Sequence, residues 1–91
     1  MVNDKEHEIM SITQEECAEC IQAISKIFRF GFDGQHPQKD YDNREHLEEE
    51  VGDLLAMIDL MLENEIVSWA NVNKARRAKF DKLRQWSNVM N

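Results

Sequence analysis

Residues 47–62, LEEEVGDLLAMIDLML, constrain the fold of this chain more than any other stretch. Their apolar members recur at the three- and four-residue spacing of an α-helix and predict one wide apolar face: Leu47, Val51, Leu54, Leu55, Ile58, Met61 and Leu62. A face of this width has to be buried against other helices. The stretch therefore predicts an all-α protein, a helical bundle of three main helices.

A pair of acidic residues lies beside this face. Glu50 and Asp53 are three residues apart, so they project from neighbouring turns of the helix. Upstream, the stretch 15–20 places Glu16 and Glu19 at the same spacing on another predicted helix. Two like charges about 4 Å apart repel by about 4 kcal/mol at an effective dielectric of 20, so four gathered carboxylates need a cation. The alternative is that both pairs simply face solvent.

The donor atoms of these pairs favour a hard metal ion. All four side chains are carboxylates and neither pair includes a histidine, which favours Mg²⁺ or Mn²⁺ over zinc. A carboxylate-bridged di-iron centre would need Glu-x-x-His turns, which neither pair provides. Cys17 and Cys20 lack a second cysteine pair to complete a zinc site, so we interpret them as small buried or half-buried residues.

Length and charge limit the number of domains and the partners. The chain of 91 residues fits one domain, 1–91, and is too small to bury wide apolar faces on three helices, which predicts a homodimer or homotetramer. We expect a soluble, cytoplasmic protein with no membrane partner, because neither a signal-peptide pattern nor a spanning apolar run occurs. The net charge of -7 argues against nucleic acid as partner. Metal ions would still let an acidic protein bind a nucleotide.

Capping signals predict a first helix from about residue 12 to Phe30, preceded by a short helix or arm over 1–10. Two capping boxes fit its start, Ser11 with Gln14 or Thr13 with Glu16. In the second box Glu16 would be a cap instead of a metal ligand. The predicted apolar side of this helix comprises Cys20, Ile21, Ile24, Ile27 and Phe28. An adjacent stripe carries Glu16, Glu19, Ala23 and Lys26.

Glycines at 31 and 34 end the first helix, and residues 31–43 are predicted to form a long loop around Pro37. The loop contains several aspartates but lacks the pattern of a calcium-binding hand. We interpret its single histidine, His36, as structural or solvated. A loop of this length in a small domain is usually functional or disordered.

The second helix is predicted over about 44–64 and the last from Trp69, behind the cap Ser68, to about Asn88. Two alternative pairs can cap the start of the second helix, Asp42 with Glu45 or Asn43 with His46. At its end, Asn64 is predicted to terminate the helix in a left-handed conformation. The candidate buried positions of the last helix are Trp69, Val72, Phe80, Leu83 and Trp86. Its basic residues form either a solvated face or a phosphate-facing edge: Lys74, Arg76, Arg77, Lys79, Lys82 and Arg84.

The two acidic helices resemble a known family. ECAECIQAISKIFRFG, with its E-x-x-E turn, and HLEEEVGDLLAMI, with its E-x-x-D turn, resemble the MazG-like all-α nucleoside triphosphate pyrophosphohydrolases, including small phage-encoded members. The resemblance covers roughly residues 15–59 well and the last helix loosely. It implies a four-helix-bundle-like fold completed by dimerisation. The implied reaction is hydrolysis of a (deoxy)nucleoside triphosphate to the monophosphate and pyrophosphate, which controls the nucleotide pool.

The resemblance also implies roles for particular residues. Glu16, Glu19, Glu50 and Asp53 would coordinate Mg²⁺, with Mn²⁺ as a substitute, and either Glu19 or Glu16 would position the attacking water. The implied substrate contacts are Lys26 and Arg29 in a K-x-x-R-F-G pattern, Asn43, and Lys79 and Lys82 on the last helix. If the acidic pairs bind no metal ion and simply face solvent, the alternative is a small acidic helical interaction module that has no catalytic activity.

One feature departs from the family pattern. Thirty residues separate Glu19 from Glu50, which is a longer insertion than is usual between the two acidic turns. The insertion falls in the loop around His36. It bears on base recognition more than on the chemistry, because the acidic pairs themselves lie on helices.

Overall fold

The computed structural model describes residues 1–35 and 37–90, and these residues form three helices. The helices are α1 (Asp4–Phe30), α2 (Asn43–Glu63) and α3 (Trp69–Trp86). The described residues contain no β-strand, and one isolated bridge pairs Gln35 with Asp42 across the loop between α1 and α2. The predicted all-α fold of three main helices is thus confirmed. The interpretation of His36 concerns a residue outside the described ranges.

Helix α1 begins roughly two turns earlier than its predicted start. The Asn3 side chain accepts a hydrogen bond from the backbone N–H of Glu6 at 2.8 Å, and the Glu6 carboxylate accepts one from the backbone N–H of Asn3 at 3.0 Å. This capping box replaces both boxes predicted near residue 12, which are wrong. The Thr13 hydroxyl instead donates to the carbonyl oxygen of Ile9 inside the helix. Glu16 is therefore not a helix cap, and its carboxylate does not serve the start of α1.

The loop between α1 and α2 begins and ends as predicted. Gly31 follows α1 with a φ of 82°, a left-handed conformation that glycine adopts without the steric cost of a Cβ. Asp42 caps α2 through a capping box with Glu45, the first of the two predicted boxes. The Asn43 side-chain amide donates to the carbonyl oxygen of Gly31 at 3.0 Å, which ties the end of α1 to the start of α2.

The connection from α2 to α3 differs from the prediction at its first residue. Asn64 has a φ of -92°, so the predicted left-handed terminator is wrong. Its side-chain amide donates to the carbonyl oxygen of Leu60, and Glu65 takes the left-handed conformation with a φ of 57°. Ser68 caps α3 as predicted by accepting from the backbone N–H of Asn71. Helix α3 ends at Trp86, two residues before the predicted end.

Helices α1 and α2 form an antiparallel pair that packs through small residues. Ala23 on α1 is fully buried, and Ile9 and Met57 are buried nearer the other end of the pair. The Cys20 thiol lies 3.5 Å from the backbone carbonyl oxygen of Glu50. The absence of a bulky side chain at 23 lets the two helix backbones approach this closely, and the contact follows the stripe of α1 that includes Ala23.

The predicted apolar faces are therefore largely uncovered in a single chain. On α1, the apolar residues Ile21, Ile24 and Phe28 are exposed, and on α2 so are Val51 and Leu55. Their prediction as core positions is wrong for one chain, because the stripe with the small Ala23 and not the widest apolar face meets α2. The other predicted core positions of α2 are half-buried: Leu47, Leu54, Ile58, Met61 and Leu62.

Helix α3 packs little against the other two helices and has no buried residue. Trp69, Phe80 and Trp86 are exposed, and Val72 and Leu83 are half-buried, so the predicted buried side of α3 is also wrong in a single chain. The radius of gyration is 16.0 Å, against about 12 Å for a compact chain of this length. None of the described helices has the length and apolar character needed to cross a membrane.

Candidate metal centre

Three carboxylates from two helices meet beside the α1–α2 contact. Glu16 on α1 and Glu50 and Asp53 on α2 each offer a carboxylate oxygen, and the three oxygens lie within 4.8 Å of one another. Glu16 and Glu50 are half-buried and Asp53 is exposed, so the group is open to solvent on one side. We call these three residues the acidic cluster. Its oxygen donors are those preferred by Mg²⁺ and Mn²⁺.

Glu19, the fourth predicted ligand, lies outside the acidic cluster. It follows Glu16 by three residues on α1 and is exposed to solvent. Its charge nevertheless contributes to the electrostatics of the cluster, since it helps to raise the pKa of the Glu16 carboxyl. The structure thus brings together three of the four predicted carboxylates and places the fourth at their solvent edge.

The electrostatics of Glu16 reflect this crowding of negative charge. Partial burial raises the pKa of the Glu16 carboxyl above its ordinary value of 4.5, and the carboxylates of Asp53, Glu50, Glu19 and Glu15 raise that pKa further. Desolvation and like charges both disfavour the ionised form. A bound cation would remove this cost, because it supplies the opposite charge that the protein does not.

A histidine that the sequence analysis did not assign to the site contacts one member of the acidic cluster, Glu50. His46 Nε2 lies 3.3 Å from Oε1 of Glu50, one turn away on α2, and the two side chains are 7% and 12% exposed. The Tyr41 ring stacks on the His46 ring with the centroids 5.3 Å apart. The four-residue spacing of His46 and Glu50 was the available signal, but the sequence does not reveal that both are shielded from solvent.

A cavity of about 350 Å³ lies at the loop end of the helix pair. Its lining residues are Lys26, Phe30, Gln35, Pro37 and Asn43, and we call it the loop cavity. Two of the predicted substrate contacts, Lys26 and Asn43, therefore share one cavity. Gln35 and Pro37 come from the loop itself, so the long insertion borders this cavity.

The other predicted substrate contacts lie elsewhere. Arg29 is exposed, and its guanidinium carbon lies 4.9 Å from the centre of the neighbouring Phe30 ring. Lys79 and Lys82 are exposed on α3. Because α3 packs little against α1 and α2, the packing of the described residues does not bring these two lysines to the acidic cluster.

The acidic cluster and the loop cavity lie at different heights along the contact between α1 and α2. At 100° per residue, one stripe of α1 carries Glu16, Ala23, Lys26 and Phe30, with Ala23 fully buried in the contact. The matching stripe of α2, which runs in the opposite direction, carries Asp53, Glu50, His46 and Asn43. A ligand that spans this length of the helix pair would reach carboxylates at one end and, at the other, a partly apolar cavity lined by Lys26.

These features define an all-α protein with a candidate divalent-metal site between two antiparallel helices and a small-molecule cavity beside it. The chain matches the model of the MazG nucleotide pyrophosphohydrolase domain over residues 4–85, which include all of α1 and α2 and nearly all of α3, and it belongs to that family. The resemblance found over 15–59 is thereby confirmed and extended. No curated protein and no solved structure matches the chain significantly. The family is one of nucleotide hydrolases.

Proposed function

We propose that this protein hydrolyses a (deoxy)nucleoside triphosphate to the monophosphate and pyrophosphate, with Mg²⁺ held by the acidic cluster. The observation that carries the proposal is the gathering of Glu16, Glu50 and Asp53 within 4.8 Å in a chain of the MazG family. Repulsion among three carboxylates is unfavourable without a cation, and a triphosphate is the anionic substrate that such a cation would bind.

The residues fit a hard divalent cation. The cluster offers only carboxylate oxygens, and the raised pKa of Glu16 reflects an excess of negative charge at one point. When bound, Mg²⁺ supplies Lewis-acid polarisation of the phosphoryl oxygens and lowers the pKa of coordinated water. Mn²⁺, with similar ligand preferences, is the expected substitute.

We infer the roles of three further residues, His46, Lys26 and Glu19, from their positions relative to the acidic cluster. His46 holds Glu50 in one orientation through their 3.3 Å contact. Lys26 lines the loop cavity, where its ammonium would meet a phosphate group of a bound nucleotide. We assign the positioning of the attacking water to Glu19, since it lies at the solvent edge of the cluster. Glu16 remains the alternative for that role, with Glu19 as a fourth metal ligand.

We further propose that the working form is a homodimer or a pair of dimers. The exposed apolar residues of α1 and α2 and the large radius of gyration support a partner that covers them. Helix α3 carries six cationic residues and one aspartate, a charge of +5, so the rest of the chain carries -12. This separation favours placing α3 of one copy beside the acidic cluster of another, which would bring Lys79 and Lys82 to the triphosphate bound there.

The decisive experiment measures pyrophosphate release from a panel of ribo- and deoxynucleoside triphosphates with Mg²⁺, with Mn²⁺ and with no metal. The test variant is Glu50→Gln, and the matched control is Glu48→Gln, which removes the same charge from an exposed position of α2 outside the cluster. We expect metal-dependent turnover that Glu50→Gln abolishes and Glu48→Gln retains.

The opposite result would support an interaction module without catalytic activity. Silence across the panel from folded, oligomeric protein would overturn the proposed reaction. So would equal turnover of the two glutamine variants, because a reaction that ignores the loss of Glu50 does not use the acidic cluster.

A further inference from the structure

We infer that the loop cavity holds the nucleobase and favours bases that carry an exocyclic amino group, namely cytosine, adenine and guanine, over uracil and thymine. This inference rests on the proposed function, because it assigns the base end of the same substrate. It is carried by three observations. They are the position of the cavity along the helix pair relative to the acidic cluster, its aromatic wall and the hydrogen bonds that its two amide side chains already make.

The position of the cavity suits the base of a nucleotide whose phosphates lie at the acidic cluster. Asn43 precedes Glu50 by seven residues on α2, which corresponds to about 10 Å along the helix axis. That separation is comparable with the length of a nucleoside from its 5′ oxygen to the far edge of its base. Lys26 lines the side of the cavity towards the cluster, and its ammonium forms no ion pair with any described residue.

The walls of the cavity suit a flat aromatic ligand. Phe30 and Pro37 provide apolar surface, and the Phe30 ring is 62% exposed, so a base can stack on it. The Arg29 guanidinium lies 4.9 Å from the centre of that ring. Cavities of this size with a few polar groups are typical of small-molecule sites.

The two amide side chains of the cavity have most of their donors engaged within the protein. Gln35 Nε2 donates to the carbonyl oxygens of Tyr41 at 3.0 Å and Lys39 at 3.4 Å, which uses both of its hydrogens. Asn43 Nδ2 donates to the carbonyl oxygen of Gly31 at 3.0 Å. For a ligand, Gln35 therefore retains only its acceptor oxygen, and Asn43, which is 4% exposed, retains its acceptor oxygen and one N–H.

Close packing against Gly34 fixes the orientation of Asn43. A Cβ built on Gly34 would lie 2.6 Å from Asn43 Nδ2, so the amide fills the space that any larger residue would need. The backbone N–H of Asn43 also donates to the carbonyl oxygen of Gly34 at 2.8 Å. If the Asn43 amide rotated to present its donors to a ligand, its hydrogen bond to the carbonyl oxygen of Gly31 would break. The packing of the loop therefore keeps the Asn43 amide in the orientation that makes this hydrogen bond.

Acceptor oxygens select among the bases through the exocyclic groups. Cytosine, adenine and guanine carry an amino group whose two hydrogens can be donated to two acceptors, whereas uracil and thymine present one ring N3–H between two carbonyl oxygens that repel an acceptor. A site whose polar groups are left unpaired by the wrong ligand discriminates strongly against it. The amino-bearing bases are therefore the ones that Gln35 and Asn43 complement.

The test compares substrates that differ at the amino group. The pairs are dGTP with dITP, which lacks only the 2-amino group, and dCTP with dUTP, which has an oxygen in place of the 4-amino group and a hydrogen on N3. We expect kcat/KM to be about tenfold higher for the amino-bearing member of at least one pair.

Gln35→Leu should reduce that ratio to near one, whereas Gln35→Glu, which keeps an acceptor oxygen, should retain the preference. Gln22→Leu, the same change at an exposed position of α1, is the control.

Binding of the nucleoside monophosphates in EDTA, measured by calorimetry, provides a readout that does not depend on hydrolysis. Turnover that requires Glu50 but has equal kcat/KM within both pairs would overturn the base assignment and leave the proposed function intact. Tighter binding of dGMP than dIMP or of dCMP than dUMP, lost in Gln35→Leu, would support the assignment even without turnover. Equal binding and equal turnover within both pairs, or a preference unchanged in Gln35→Leu, would overturn it.

Discussion

The Nε2 atom of His46 lies 3.3 Å from Oε1 of Glu50, and both side chains are largely shielded from solvent. Because Glu50 belongs to the acidic cluster and His46 does not, we propose that the histidine acts on the cluster through the orientation of Glu50. Groups that hold metal ligands in place in this way typically affect metal affinity or activity by 10- to 100-fold.

Replacement of His46 tests this relationship. His46→Phe keeps an aromatic ring against Tyr41 and removes the nitrogen that contacts Glu50. We expect the Mg²⁺ concentration for half-maximal pyrophosphate release to rise by about 10- to 100-fold, with a smaller effect on kcat at saturating Mg²⁺. An unchanged Mg²⁺ titration, in a variant with the wild-type melting temperature, would show that the contact does not prepare Glu50 for the metal.

The raised pKa of Glu16 predicts the pH dependence of stability without metal. Folding raises this pKa above its unfolded value near 4.5, so the folded state binds the proton more tightly. Stability is therefore lost as the pH rises from the unfolded pKa through the folded pKa, and the full loss is present at neutral pH. We expect Glu16→Gln to melt at a higher temperature than wild type at about pH 7 in EDTA, and at the same temperature at about pH 3.5, below both pKa values.

Glu48→Gln serves as the control for this charge removal, since Glu48 is exposed on α2 outside the cluster. Its melting temperature should stay close to that of wild type at both pH values. Mg²⁺ at about 100 times its dissociation constant should stabilise wild type by about 2.7 kcal/mol and Glu16→Gln by much less. A Glu16→Gln variant less stable than wild type in EDTA at neutral pH would contradict the crowding of charge at the cluster.

Two glycines of this chain should respond in opposite directions to the same substitution. In Gly34→Ala the new Cβ would lie 2.6 Å from Asn43 Nδ2 and 2.8 Å from the backbone oxygen of Phe30, which cannot move alone. We expect a loss of about 1–3 kcal/mol in the free energy of unfolding, measured in urea. Gly52→Ala meets nothing within 4 Å in the middle of α2 and should stabilise the chain by about 0.5–1 kcal/mol.

The outcome for Gly52→Ala also reports on assembly. A stabilised variant would agree with the open space around Gly52 in one chain. A destabilised variant would mean that a second copy of the chain packs against Gly52. If the loss in the free energy of unfolding also depends on protein concentration, it would identify that contact between copies directly.

The exposed apolar surface of α2 predicts a specific sensitivity of the assembly. Leu55 is 55% exposed in the single chain, so a charge there is tolerated unless a partner covers it. We expect Leu55→Asp to shift the protein from dimer or larger to monomer in analytical ultracentrifugation. Leu55→Met, which conserves the apolar volume, should leave the assembly unchanged. A wild-type chain that sediments as a monomer would refute the proposed assembly itself.

Much of the site could be predicted from local sequence patterns. The spacing of Glu50 and Asp53, and of Glu16 and Glu19, follows from helix geometry alone, as does the capping of α2 by Asp42. The family resemblance carried by these turns is confirmed by the match over residues 4–85. Local patterns succeed here because helix formation and capping depend on residues only a few positions apart.

The face by which each helix packs could not be predicted in the same way. The periodicity of α1 indicated Ile21, Ile24 and Phe28 as its inner side, yet the fully buried residue is Ala23. A count of apolar residues does not reveal where two helices approach most closely, since close approach favours a small side chain. The start of α1 was misplaced for a related reason, because a polar first turn carries no apolar period and only the cap Asn3 marks it.

The sequence by itself determined three helices, the acidic turns on two of them and the family to which they belong. Only the tertiary structure decided that Glu16 meets Glu50 and Asp53 while Glu19 stays outside, that His46 is shielded against Glu50, and that Lys26 shares a cavity with Asn43. The physical reason is that helix period and capping are local properties of the chain. The rotation and separation of two packed helices depend instead on which side chains interlock between them.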